Sequence, residues 1–203
     1  LSVADDGKES DYTNIQIDRF EEQTDLIERT LGYKFIRHLA NSAGAYYYPK
    51  AHFDMVRLGI GLFGLLDENQ QEEFENVLQL TSQISQTRKI KTGESVGYGR
   101  VFKADRDTTI GIIPVGYGDG LRRSLSNGKW SVFIKDKKYP IIGNICMDMC
   151  MVDFGEDPIE AGEIVQLFGN GNSVFEMSRI LDTIPYEIIS AISLRVQRVY
   201  LEE

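Results

Sequence analysis

The run His38-Leu39-Ala40-Asn41-Ser42 and, after one turn of small and aromatic residues, Met55-Val56-Arg57-Leu58-Gly59-Ile60 hold the residue types best suited to chemistry in this chain. Together they offer a hydroxyl at Ser42, a permanently charged guanidinium at Arg57, and backbone N–H groups at Gly59 and Ile60 that a ligand can approach closely. That set suits a phosphorylated, nitrogen-bearing small molecule seated between two strand ends. Further glycine-flanked or turn motifs follow: Ser95-Val96-Gly97-Tyr98-Gly99, Ile113-Pro114-Val115-Gly116-Tyr117-Gly118-Asp119-Gly120, Ile142-Gly143-Asn144-Ile145-Cys146-Met147-Asp148-Met149 and Ile184-Pro185-Tyr186-Glu187.

Each of these residues also has a plainer reading. Arg57 ends an apolar segment, where a charge is costly unless paired or aimed at a ligand, and Asp54 is an available partner. A tyrosine between glycines, such as Tyr98, is a common strand or bulge residue, and an isolated serine beside a glycine-rich turn is a weak signal. His38 reads equally as a core or surface histidine. Cys146 and Cys150, the only cysteines, would put both sulfurs on one face of an extended strand. Zinc takes four ligands, however, and no histidine or second cysteine pair lies near in sequence, so buried free thiols are expected and no metal.

These residues need elements to position them. Residues 11–31 place Ile15, Ile17, Phe20, Thr24, Ile27 and Leu31 near helical spacing, and Gly32 follows as a C-cap, which predicts an amphipathic helix. Residues 34–38 and 53–58 read as short strands, with Asn41 and Ser42 opening a turn or short helix that ends before Pro49. Strand, helix, strand order predicts a parallel α/β unit, whose ligands sit at the carboxyl ends of the strands, where Asn41, Ser42, Gly59 and Ile60 fall.

From about residue 79 the texture becomes mostly β, with predicted strands over 77–90, 98–104, 109–115, 130–134, 137–142, 146–152 and 163–168. Turns are expected at Asn127-Gly128, at residues 135–137 and at residues 169–172. A short helix is expected over 173–181, broken by Pro185, and a final strand over 188–200. The polar, acid-rich stretch 67–75 is the candidate linker, giving domains 1–70 and 71–203. The chain opens on Leu1 in what reads as mid-element, which predicts a longer polypeptide.

With a net charge of −9 the chain has no basic stripe to neutralise a nucleic-acid backbone, so a small solute is the better partner. No apolar run approaches the roughly 18 residues of a membrane span. Two cysteines in a chain of this size fit a reducing, cytoplasmic setting.

On these motifs the chain resembles the C-terminal half of alanine racemase, the pyridoxal-phosphate enzyme that interconverts L- and D-alanine and supplies D-alanine for peptidoglycan. The resemblance implies the last part of a TIM-type (β/α)8 barrel followed by a mostly β C-terminal domain. It implies that Arg57 faces the pyridine nitrogen of pyridoxal 5'-phosphate, with His38 propping the arginine. The Ser42 and Tyr186 hydroxyls and the Gly59 and Ile60 N–H groups would hold the phosphate. Tyr98 would be one of two catalytic bases, and Tyr117 would line the substrate entrance. The Met147 backbone N–H would contact the substrate carboxylate, while Asp119 and Asp148 read as turn or supporting residues.

The family's covalent cofactor lysine lies in a motif resembling Val-Lys-Ala-Asn-Ala-Tyr-Gly, and no such motif occurs here. The second base and barrel strands one to five would therefore lie upstream of Leu1, and the isolated chain would be inactive. Local departures are Gly97 where serine is common, Gly118 where alanine is common and Met149 where glutamine is common. The family also implies a homodimer with shared active sites, in which Arg57 and Tyr98 of one chain serve different sites. Some relatives carry the racemase behind a peptidoglycan Mur-ligase domain, which nothing in the residues decides. The competing readings are a racemase of another amino acid such as serine, and a non-catalytic dimerisation or binding module.

Overall fold

The computed structural model describes residues 1–6, 10–68 and 73–201. They fall into two units, Leu1–Leu78 and Gln79–Glu203. In the first, the apolar periodicity gives α1 (Asp11–Leu31), closed by Gly32 in the left-handed region at φ 74° with its N–H donating to Glu28 O. The buried stripe is Thr13, Ile17 and Thr24, with Phe20 half-buried. Ile15, Ile27 and Leu31, expected on the same face, are exposed. Ile15, two residues from Ile17, falls on the opposite face of the helix, and Ile27 and Leu31 continue the buried stripe into the last turns, where they are exposed.

The two expected strands contract to a single parallel bridge, His38 with Met55. Backbone bonds from Asp54 N–H to Arg37 O (3.1 Å) and from Arg57 N–H to Ala40 O (3.0 Å) flank it. The ladder stops at one end because the Asp54 carboxylate takes the Arg37 N–H (2.9 Å), and Phe53 turns the chain at φ 45°. Between these segments stands α2 (Ser42–Tyr47), capped by the Asn41 side chain, which accepts from Gly44 N–H at 2.9 Å. The core here is Ala4, Ile17, Ala40, Ala43, Tyr48 and Ala51. Four alanines in that set let backbone segments approach closely. The expected linker lies partly outside the described residues.

The second unit has nine strands among the described residues: β1 (Leu80–Gln83), β2 (Gln86–Ile90), β3 (Ser95–Val96), β4 (Phe102–Lys103), β5 (Thr108–Ile113), β6 (Ser131–Ile134), β7 (Lys137–Ile142), β8 (Cys150–Gly155) and β9 (Ile164–Phe168). Seven form one antiparallel sheet in the order β1-β9-β6-β7-β8-β5-β2, and β3 pairs with β4. The expected strand 77–90 bends at Ile84 and Ser85, whose N–H groups donate to Glu163 O (3.0 Å) and Ile112 O (2.9 Å). One bent strand thus pairs with β9 at one end and with β5 at the other, joining the two ends of the strand order. Val132, Ile141, Val152, Val165 and Leu167 are fully buried, and the Trp130 indole donates to Leu167 O at 2.8 Å.

Four sequence expectations give way in this unit. Only Phe102–Lys103 of the stretch 98–104 is strand, because Tyr98 to Arg100 form a tight turn. Residues 146–149 form a loop, closed by Cys146 N–H to Met149 O (2.9 Å), so just one of the two cysteines lies in β8. The final strand over 188–200 is absent. Pro185 does not break a helix but opens one, α4 (Pro185–Ser190), after α3 (Val174–Leu181) has ended at Asp182 in the left-handed region. At the first helical position proline loses no hydrogen bond and its fixed φ fits the helix. Ile188 is then buried from a helix, and the Arg198 guanidinium holds the following coil by donating to Ile192 O at 2.9 Å.

Candidate active site

In the first unit the Asn41 cap sets Ser42 at the start of α2, where it is buried. Its Oγ accepts from Gly59 N–H (2.8 Å) and Gly61 N–H (3.3 Å). With its lone pairs engaged by backbone donors, the hydroxyl keeps its own O–H to give. The next N–H, at Ile60, has no acceptor among the described residues. A Cβ at Gly61 would lie 3.3 Å from the Ser42 Cβ, so the absent side chain lets the turn close over the serine. Ser42, Gly59 and Ile60 are therefore together, and what they leave open are donors.

Arg57 is exposed, and its Nη2 donates to Leu39 O at 3.0 Å. The ion pair with Asp54 is not formed, since that carboxylate takes the Arg37 N–H. A single neutral carbonyl leaves most of the guanidinium's five donors free for a ligand. His38 is exposed, and its imidazole makes no hydrogen bond among the described residues, to Arg57 or otherwise. The arginine's side-chain support comes from Leu39 instead.

Three loops of the second unit carry the other candidates. Tyr98 is 75% exposed on a turn whose neighbours Gly97, Gly99 and Arg100 all have positive φ, at 77°, 72° and 52°. Arg100 N–H to Gly97 O (3.2 Å), Arg100 Nε to Ser95 Oγ (2.7 Å) and Asn144 Nδ2 to Tyr98 O (3.0 Å) hold this turn. The chain around Tyr117 lies along the chain around Met147, through Tyr117 N–H to Cys146 O (3.0 Å) and Gly118 N–H to Met147 O (2.9 Å). A Cβ at Gly116 would sit 2.3 Å from Cys146 O, so that approach requires glycine. Tyr117 and Met147 are exposed, and the Met147 N–H has no acceptor among the described residues. Tyr186 lies on α4 of this unit, partly exposed.

Burial pushes the Cys150 thiol up to about 12, which keeps it a neutral thiol. Among the described residues no His, Cys, Asp or Glu cluster could hold a metal ion, and no helix is long and apolar enough to cross a membrane. Sequence reasoning missed Asn144, which fastens the Tyr98 turn, and Arg195, which contacts both Asp119 and Asp148. Neither has a local signal, since their partners lie far along the chain.

The alanine racemase of Clostridium novyi is 38% identical over 212 residues, covering 100% of this chain and 54% of that protein. The chain thus spans about half the length of the curated relatives it matches. Among solved structures, the alanine racemase of Clostridium difficile 630 in complex with cycloserine matches with a TM-score of 0.89 and 32% identity, over 99% of this chain and 54% of that one. The alanine racemase of Bartonella henselae with covalently bound pyridoxal phosphate matches with a TM-score of 0.81 and 31% identity, over 99% and 55%. The barrel remnant and the strand-rich domain are accordingly a shared fold. The model of the alanine racemase N-terminal domain matches residues 1–67 and that of the C-terminal domain residues 77–200, and by these matches the chain belongs to the alanine racemase family.

Proposed function

We propose that this chain is the C-terminal part of a pyridoxal-phosphate-dependent racemase that interconverts L- and D-alanine in the cytoplasm and provides D-alanine for peptidoglycan. The observation that carries the reading is the match to both alanine racemase domain models over nearly the whole chain. The donors left open at Ser42 and Ile60, and the little-engaged guanidinium of Arg57, fit a phosphate and a ring nitrogen.

Bound pyridoxal phosphate supplies an electron sink that makes the α-proton of an amino acid removable. Ser42, Gly59 and Ile60 would hold its phosphate. Arg57 would donate a hydrogen bond to the pyridine nitrogen and, as a guanidinium, would keep its proton, so that the sink stays weak. His38 bridges Met55, two residues before Arg57. Tyr98 takes or returns the α-proton on one face of the substrate. The Met147 N–H binds the carboxylate, and Tyr117 narrows the approach. The opposing base and covalent anchor is a lysine that matches none in this chain, and two subunits share each site, so Arg57 and Tyr98 of one chain act in different ones.

The test is the full-length protein, loaded with pyridoxal phosphate and offered a panel of L-amino acids including serine. Formation of D-alanine ahead of every other product is expected. Preferential turnover of serine, or no racemisation at all, overturns the reading.

A further inference from the structure

Three stretches of the second unit meet at one guanidinium. Arg195 Nε donates to Asp119 Oδ1 at 2.7 Å, and its Nη2 donates to Asp148 Oδ1 at 2.8 Å. Asp119 is buried and works twice, since its other oxygen accepts the Gly116 N–H at 2.8 Å. The Asp119 carbonyl accepts Ser193 N–H at 3.1 Å, which fixes the segment carrying Arg195 to the same turn. Gly118 leaves the space, because a Cβ there would fall 2.6 Å from Arg195 Nη2 and 3.0 Å from Met147 O.

The two carboxylates flank the exposed candidates: Asp119 closes the turn that bears Tyr117, and Asp148 directly follows Met147. We propose that Arg195 is a positioning residue for substrate binding. It aligns the Tyr117 turn with the Met147 N–H and neutralises Asp148, so that this N–H can receive the carboxylate of an α-amino acid. The proposal rests on the racemase reading for the identity of that carboxylate.

The chemistry favours positioning over support of the fold. The Arg195 side chain is 47% exposed and that of Asp148 is 59% exposed, and an ion pair this wet adds little to stability, whereas the Asp119 end, at 12%, ties the segment to the Tyr117 turn. Their electrostatic consequence is larger. An unpaired Asp148 would place a negative charge one residue from the only carboxylate donor assigned in this unit, and like charges a few ångströms apart repel appreciably even in a surface dielectric.

The experiment compares the full-length, cofactor-loaded wild type with Arg195→Ala, Arg195→Lys and the double variant Arg195→Ala/Asp148→Asn. It reads KM and kcat for L-alanine, and amide hydrogen exchange over residues 116–119 without substrate. Arg195→Ala is expected to raise KM by about tenfold, with a much smaller change in kcat. Exchange at the Tyr117 and Gly118 amides should quicken. Adding Asp148→Asn should recover most of the KM loss by removing the unpaired charge, which a purely structural arginine would not allow. A KM within twofold of wild type, or a KM loss that Asp148→Asn fails to recover, overturns the proposal. If Arg195→Ala does not fold, Arg195→Gln, which removes the charge and keeps a donor, carries the same comparison with Asp148→Asn; Arg195→Lys, which keeps a cation beside Asp148, is expected to raise KM less than either. A wild type that does not racemise alanine sinks the functional reading instead. In that case unchanged exchange in Arg195→Ala sinks the alignment, and quickened exchange supports it.

Discussion

Replacing Ser42 by alanine tests the phosphate cradle, because the structure separates its two consequences. The Oγ accepts from Gly59 N–H at 2.8 Å and from Gly61 N–H at 3.3 Å. Gly59 is exposed, so water can take over the stronger bond, and the longer one is weak. The cost to the free protein should therefore be only about 1 kcal/mol. The cost to phosphate binding is larger, because the hydroxyl's outward O–H is a bond to a charged group, worth about 1.5–3 kcal/mol, or roughly 10- to 150-fold in Kd. The freed Gly59 N–H can turn to the anion and recover part of it, so about tenfold is expected.

The assay strips the full-length protein of cofactor and titrates it with pyridoxal phosphate, and separately with pyridoxal, following absorbance. Ser42→Ala should weaken pyridoxal phosphate and leave pyridoxal unchanged, while Ser42→Thr should stay near wild type. Equal weakening of both ligands, or of neither, refutes the argument that the serine acts on the phosphate.

Three other outcomes follow from the geometry. L- and D-alanine have equal free energy, so Tyr98→Phe must lower kcat/KM equally in both directions; the asymmetry lies in exchange of the α-proton with deuterated solvent. That exchange should slow by about 100-fold or more from L-alanine and persist from D-alanine, and parallel slowing would remove Tyr98 as the base on one face. Gly116→Ala drives a Cβ to 2.3 Å from Cys146 O, so it should cost about 1–3 kcal/mol and raise KM for alanine; an unchanged thermal midpoint would show that the two loops can part freely. The Lys91 ammonium and the Thr92 N–H hold the Asp107 carboxyl at about 2, below its ordinary range. Its contribution to stability is complete above the ordinary value and fades as pH falls through 2, so Asp107→Asn should flatten the acid decline of the thermal midpoint between pH 4 and 2.

What could be read from sequence was what neighbours along the chain decide. The helix 11–31 with Gly32, the Asn41 cap and the two-residue turn at Lys135 and Asp136, both at positive φ, each depend on residues within a few positions. The meeting of Ser42 with the Gly59 turn was legible for the same reason at one end, Asn41 beside Ser42, and through glycine at the other. How far the cover extends along α1 was not legible, since Ile27 and Leu31 share the stripe of Ile17 and only the packing of the unit decides which turns are covered.

Pro185 shows how one residue permits opposite outcomes. A proline ends the helix before it and equally starts the one after it, and the left-handed Asp182 had already ended α3. Asn144 and Arg195 lie further still from local rules, acting on residues 46 and 76 positions away. From sequence, Asp119 and Asp148 read as turn or supporting residues. A guanidinium between them changes what they do: it joins the turn that bears the exposed Tyr117 to the loop that bears the open Met147 N–H, through an arginine whose own segment reads as an ordinary strand.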